Sequence, residues 1–196
     1  MPIGAGLPDI VVASCDPAMS AVARVEAPHA AILAYLRGVG RARAETIAAR
    51  LAQPLRKVLR CLDLLTRSEA IMNSSGTYSL ATAWRNPLPE IVSVEVKVAD
   101  WQKAVSQAGR NCIFSHRSFV ALPLPIAQRV RSEIVFRQTG VGLLAVDDDH
   151  EVALLRPSPR REPRVWTYYY ELASLAACHF AEAQDELHRT HRRRPT

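Results

Sequence analysis

The chain has no apolar run approaching the ~18 residues that a membrane-spanning helix requires. It has no Lys or Arg before Arg24, so no basic segment precedes the apolar Ile10-Val11-Val12-Ala13, and a secretory signal is not expected. Its four cysteines, Cys15, Cys61, Cys112 and Cys178, form no CxxC pair. Neither a zinc knuckle nor a disulfide framework is indicated. A soluble protein of a reducing cytoplasm is the expectation, without a membrane partner. The 196 residues allow one sizeable core or two small ones, and 48% hydrophobic with 22% charged residues is ordinary for a globular chain.

Acidic charge is in modest deficit. The formal net charge is +6 and the pI about 9.5, which suits a polyanionic partner. The excess is local. The tail HRTHRRRPT holds Arg189, Arg192, Arg193 and Arg194, and no acidic residue lies between Arg50 and Cys61, where Arg56, Lys57 and Arg60 cluster.

Residues 9–14 and 21–26 read as two short strands around a Cys-Asp-Pro turn, an N-terminal arm over 1–27. Pro28 then opens a helix striped by Ile32, Leu33 and Leu36 as far as Gly38. Glu45–Leu51 reads as a short second helix. Pro54 opens a third, with Leu55, Val58, Leu59, Leu62 and Leu65 on one face and the three cations on another. Residues 70–80 read as a hairpin turning at Asn73-Ser74-Ser75-Gly76.

That order resembles a winged helix-turn-helix, covering residues 28–84. The resemblance implies contact with double-stranded DNA. Gln53, Arg56, Lys57 and Arg60 on the third helix would meet bases and phosphates, and Ser74 and Ser75 at the wing tip would meet the backbone. A solvated helix face is the plain alternative for the three cations.

Arg85–Glu90, with two prolines, reads as a linker. Beyond it, VSVEVKVADW at 92–101 alternates strictly: Val92, Val94, Val96 and Val98 on one side, Ser93, Glu95 and Lys97 on the other. Asp100 is a natural N-cap for a helix with Trp101, Ala104, Val105 and Ala108 on one face and Lys103, Gln107 and Arg110 on another. A strand follows at 117–123. A helix striped by Ile126, Val130 and Ile134 ends before Gly140. Residues 142–148 and 152–158 form a hairpin, and a last helix runs from Val165 to about His188. Alternating strands and helices predict a mixed sheet carrying helices, an α/β domain over 85–186 within an α+β protein, with a basic tail at 187–196.

Glu95-Val96-Lys97 late in a strand, followed by Gln107 on the next helix, resembles the PD-(D/E)xK superfamily of restriction-endonuclease-like nucleases. The resemblance implies Mg²⁺ held by an Asp and by Glu95, with Lys97 and Gln107 completing a catalytic site. The motif's Asp should precede Glu95 by ten to twenty residues, yet residues 75–89 contain no carboxylate. Glu90 is the nearest candidate metal ligand, although its parity puts it on the valine side unless a bulge intervenes. Asp9 qualifies only if the N-terminal strand joins this sheet.

The expectation is therefore a DNA-binding regulator or accessory factor whose nuclease-like domain lacks a full metal site and needs no cofactor. The alternative is an active Mg²⁺-dependent deoxyribonuclease, and the third reading is a protein-interaction module. Arg160 and Arg161, in RPSPRREPR, are further candidates for gripping phosphate. The aromatic run at 166–170 suits a core or a homodimer face.

Overall fold

The computed structural model describes residues 8–14 and 27–176, and the side chains of all of these except Ala27 and Pro28. The expected strand at 21–26, the end of the last helix and the basic tail lie outside the described residues. The chain divides into two compact units, each assembled from separate stretches of sequence. Among the described residues, one unit comprises 8–14 and 90–165, and the other comprises 27–89 and 166–176. This corrects the contiguous division at residue 85. The N-terminal strand belongs with the second half, and the aromatic helix belongs with the first.

In the unit built on 90–165, five strands form one sheet. They are β1 (Ile10–Ala13), β5 (Ile91–Val96), β6 (Arg117–Pro123), β7 (Gly142–Val146) and β8 (Val152–Arg156), in that spatial order. The three central strands run parallel and both edges are antiparallel. Parallel neighbours need long crossovers. Helix α4 (Trp101–Asn111) joins β5 to β6, and the helices α5 (Leu124–Val130) and α6 (Ile134–Thr139) join β6 to β7. The single helix expected over 126–139 is thus two. Its stripe breaks at residues 131–133, and Ile134 is exposed while Phe136 takes the core position.

Helix α4 begins where the sequence places it, with the Asp100 carboxylate accepting from the Lys103 N–H at 3.0 Å. Its Ala104, Val105 and Ala108 pack with Val120, Leu122, Leu143 and Phe136 in one apolar cluster. Small residues on α4 let the helix sit close to the sheet. Gly140 closes α6 at φ 73°, the left-handed conformation that ends helices, and a Cβ there would collide with the Arg161 guanidinium.

The alternation along β5 does not divide buried from exposed, since Val94 is buried as well as Ser93 and Glu95. Ser93 and Glu95 are 0% and 2% exposed, whereas Val96 and Val98 are 41% and 78% exposed. The strand ends at Val96, so Val98 lies beyond it, and the polar side is the one that α4 covers.

The other unit opens with helix α1 (Ala27–Val39), strand β2 (Arg41–Arg43), and helices α2 (Ala44–Arg50) and α3 (Leu55–Arg67). Strands β3 (Ile71–Ser74) and β4 (Thr77–Leu80) follow as a hairpin. Its three-stranded antiparallel sheet has the order β2-β4-β3, and β2 is an element the sequence did not announce. Ser75 and Gly76 form the hairpin turn at φ 51° and 78°, and Asn73 Oδ1 accepts the Gly76 N–H at 3.0 Å. The buried stripe of α3 is Val58, Cys61, Leu62 and Leu65, while Leu55 and Leu59 are exposed, a correction to the expected apolar face.

Residues 85–90 are no free linker. Trp84, Pro87 and Leu88 are buried, and the helix over 166–176 packs on this stretch. Tyr169 Oη accepts the Leu88 N–H at 2.9 Å and donates to the Leu88 carbonyl at 3.0 Å. Tyr170 Oη donates to the Trp84 carbonyl at 2.8 Å, and its burial pushes the phenol well above its usual range. Of the aromatic run, Tyr169 and Tyr170 are core, while Trp166 and Tyr168 are half-buried.

Candidate functional site

The site is built where β1 meets the end of β5. The two strands pair antiparallel, with Ile10 opposite Val94 and Val12 opposite Val92. Continuing that register by one residue sets Asp9 across from Glu95. Directly opposed residues in an antiparallel pair project from the same face of a sheet, so two carboxylates share one surface. Asp9 Oδ2 accepts the Val96 N–H at 2.8 Å and the Lys97 ammonium at 3.2 Å. The same ammonium lies 3.9 Å from Glu95 Oε2. Asp9, Glu95 and Lys97 therefore form one cluster, although eighty-odd residues separate its first member from the others.

The three groups differ in exposure. The Glu95 side chain is 3% exposed, that of Lys97 29% and that of Asp9 42%, so the cluster is a shallow site with a buried floor. The Val96 N–H, and then Lys97, hold the Asp9 carboxyl below the usual carboxylate range. Lys97 is just past the end of β5 but stays in register, because its N–H donates to the Ala121 carbonyl of β6 at 3.1 Å.

Glu95 faces α4. The Asn111 amide donates from Nδ2 to Glu95 Oε1 at 2.8 Å, and Asn111 is itself 2% exposed. Sequence reasoning gave Asn111 no role. It stands at the end of the helix in no distinctive pattern, and only the packing of α4 on β5 turns it toward the carboxylate. Gln107 is one helical turn earlier on the same stripe. Its Oε1 is buried with no hydrogen-bond partner among the described residues. Arg110 donates to Ser106 Oγ at 3.4 Å on its own helix.

Such a cluster is expensive as architecture. Opposed like charges destabilise a strand pair, and a buried carboxylate gains its place only through hydrogen bonds and a cation. Departures of this kind from the rules of stable packing concentrate at functional sites.

Glu90, expected as a second metal ligand, is corrected. It lies one residue before β5, at the end of the strand opposite to Glu95. Its Oε1 accepts from Arg117 Nε at 2.9 Å and its Oε2 from Arg160 Nε at 3.3 Å. Arg160 also pairs with Glu162 at 3.0 Å. Arg161 donates from Nη1 to the Thr139 carbonyl at 3.0 Å. Both arginines are thus engaged in pinning the loop after β8, and the structure does not bring them to Asp9 or Glu95.

In the other unit, Gln53, Arg56, Lys57 and Arg60 are exposed at the start and along one side of α3, and Ser74 and Ser75 are exposed at the hairpin tip. In the sheet unit, the acidic run Asp147-Asp148-Asp149 is a turn, in which Asp147 Oδ1 accepts the N–H groups of Asp149 and Glu151 at 3.1 and 2.9 Å.

Among the described residues no group of three or more His, Cys, Asp or Glu side chains converges on one point. The Asp9–Glu95 pair is a smaller, all-oxygen donor set. That set suits Mg²⁺, which keeps several waters and is commonly held by one or two carboxylates together with substrate phosphate. The unpaired Gln107 oxygen adds a polar acceptor on the helix that covers Glu95. No described helix is long and apolar enough to cross a membrane. No family model matches this chain, and neither a curated protein nor a solved structure is detectably similar to it.

Proposed function

We propose that this protein is a Mg²⁺-dependent deoxyribonuclease whose sheet unit carries the chemistry and whose α1–β4 unit grips duplex DNA. The observation that carries the reading is Asp9 beside Lys97 and Glu95. The sequence leading up to β5 offers no second carboxylate, and Asp9, just before β1 and opposite Glu95, supports one. Pro8-Asp9 and Glu95-Val96-Lys97 then resemble the two halves of the PD-(D/E)xK motif, on adjacent antiparallel strands, with the segment 15–89 inserted between them.

Asp9 and Glu95 would hold the metal ion. When bound, Mg²⁺ supplies Lewis-acid polarisation of the phosphate and a lowered pKa for water. The chain's own groups do the rest. Lys97, with its ammonium between the carboxylates, offsets negative charge that develops on the phosphoryl oxygens and orients the attacking water. Gln107, whose buried side-chain oxygen has no partner among the described residues, would complete the site as the resemblance implies. Water adds to phosphorus, one P–O ester bond breaks, and the departing oxygen takes a proton while the attacking water gives one up to solvent.

The α1–β4 unit resembles a winged helix: three helices, a short β2, and the hairpin β3–β4 that would serve as the wing. Arg56, Lys57 and Arg60 on the exposed side of α3 support phosphate and base contact, because charge neutralisation dominates binding to DNA.

Supercoiled plasmid incubated with Mg²⁺ or Mn²⁺ tests the reading. Nicked or linear product is expected with the wild type and is lost on adding EDTA, in Lys97→Ala and in Glu95→Gln. An intact plasmid with every metal, alongside tight duplex binding, would instead return the protein to the class of non-cleaving regulators.

A further inference from the structure

We propose that Asn111 is a positioning residue that engages one oxygen of Glu95, leaves the other as the better metal ligand, and so biases the carboxylate pair toward Mg²⁺ over Ca²⁺. The inference rests on the metal-site reading above and assigns a role to a residue outside its motif. Glu95 is buried, and its two oxygens have different surroundings. Oε1 accepts from Asn111 Nδ2 at 2.8 Å, while Oε2 lies toward Lys97 at 3.9 Å. The amide can face the carboxylate only with its NH₂, since its carbonyl oxygen would repel it. Oε1 thereby gives one of its acceptor sites to the protein, which leaves Oε2 the better metal ligand.

Asn111 is itself clamped. It is the last residue of α4, where helix carbonyls lack intrahelical partners. Ser115 Oγ donates to the Asn111 carbonyl at 2.8 Å, and Ser118 Oγ donates to the Ala108 carbonyl at 2.8 Å. Ser93 Oγ on β5 joins the two, 3.0 Å from each of Ser115 Oγ and Ser118 Oγ. All three serines are at most 1% exposed. This buried chain of hydroxyls ties the end of α4 to β5 and β6, and so holds the backbone from which the amide reaches Glu95. A fully satisfied buried network of this kind rigidifies what it touches.

The consequence is coordination geometry. Mg²⁺ demands a compact octahedron and takes carboxylates through one oxygen. Ca²⁺ accepts six to eight oxygens and readily takes a carboxylate through both. A Glu95 with Oε1 engaged by Asn111 fits the first ion better than the second.

Calorimetric titration of the full-length protein with MgCl₂ and with CaCl₂ tests this. The wild type is expected to bind Ca²⁺ no more tightly than Mg²⁺. In Asn111→Ala, Mg²⁺ affinity falls about tenfold or more, as loss of a hydrogen bond behind a ligand commonly causes. Ca²⁺ affinity falls less, so the ratio moves toward Ca²⁺. Asn111→Asp keeps the shape but replaces the donor by a third carboxylate, and it moves the ratio in the same direction. It decides the matter should the alanine variant not fold. Tighter Ca²⁺ binding by the wild type, or an unchanged ratio in a folded variant, overturns the proposal. If wild-type binding is abolished by Glu95→Gln but unaffected at position 111, this inference alone fails. If the wild type binds neither ion, the metal-site reading fails with it.

Discussion

Replacing Asp9 by asparagine separates a catalytic role from a structural one, because the two roles predict effects of different size. The Asp9→Asn side chain keeps the shape and keeps an oxygen that can accept the Val96 N–H, which lies 2.8 Å from Asp9 Oδ2 in the wild type. What is lost is the charge. The ion pair with Lys97 involves side chains 42% and 29% exposed, so solvent screening limits it to about 1 kcal/mol or less. Against that, the substitution relieves the opposition of two carboxylates across β1 and β5. The net change in stability should lie within about 1 kcal/mol, a shift in Tm of at most about 2–4 °C for a chain of this size. A metal ligand and its charge are worth far more to the transition state. Losing one should reduce cleavage at least about 100-fold, or about 2.7 kcal/mol of barrier. The assay is the initial rate of plasmid nicking at saturating Mg²⁺, beside a thermal melt of the same preparation and duplex affinity measured in EDTA. Activity within about threefold of the wild type, with the melt unchanged, would refute Asp9 as part of the chemistry, since that corresponds to under 1 kcal/mol of barrier. A rate loss that merely tracks unfolding would do so equally.

Three further outcomes follow from particular contacts. The Arg56→Ala/Lys57→Ala double variant should lower duplex affinity and flatten the salt dependence of log K by about two charges' worth, roughly 1.8 in slope, with little change in Tm, as both residues are exposed; an unaltered slope in a filter-binding or anisotropy titration would reject α3 as the DNA contact. Tyr169→Phe should destabilise the α1–β4 unit by about 1–3 kcal/mol in urea unfolding, because it strands the buried Leu88 N–H and carbonyl that the phenol now satisfies. Glu90→Gln should leave Mg²⁺ affinity in calorimetry unaltered while lowering Tm slightly, since Glu90 binds Arg117 and Arg160 rather than facing the carboxylate pair.

Local features of the sequence were legible where short-range physics decides. The Asp100 cap, the small-residue face of α4, the β6 run at 117–123 and the hairpin at 71–80 all appear where propensity and periodicity put them. The parity of Glu95 and Lys97 was also readable, because alternation along a strand is intrinsic to its backbone. Less legible was which side of β5 would be covered. Apolar alternation names a valine face, but α4 packs on the serine and glutamate side, where Ser93, Ser115 and Ser118 can satisfy one another. Local pattern also overestimated the apolar face of α3, since Leu55 and Leu59 repeat at helical spacing but meet nothing that buries them among the described residues.

Residue identity and spacing set the chemistry available: an acidic and a basic group two residues apart on one strand, a cationic helix, and an isolated aspartate before an apolar run near the N-terminus. They could not say that these belong together. The residues leading up to β5 hold no second carboxylate on its polar side, because the relevant one is distant along the chain, and contiguity is no guide once the segment 15–89 is inserted between two paired strands. That juxtaposition belongs to the tertiary structure. The hydrogen bonds of β1 to β5 set Ile10 against Val94, and that register carries Asp9 to Glu95 and Lys97.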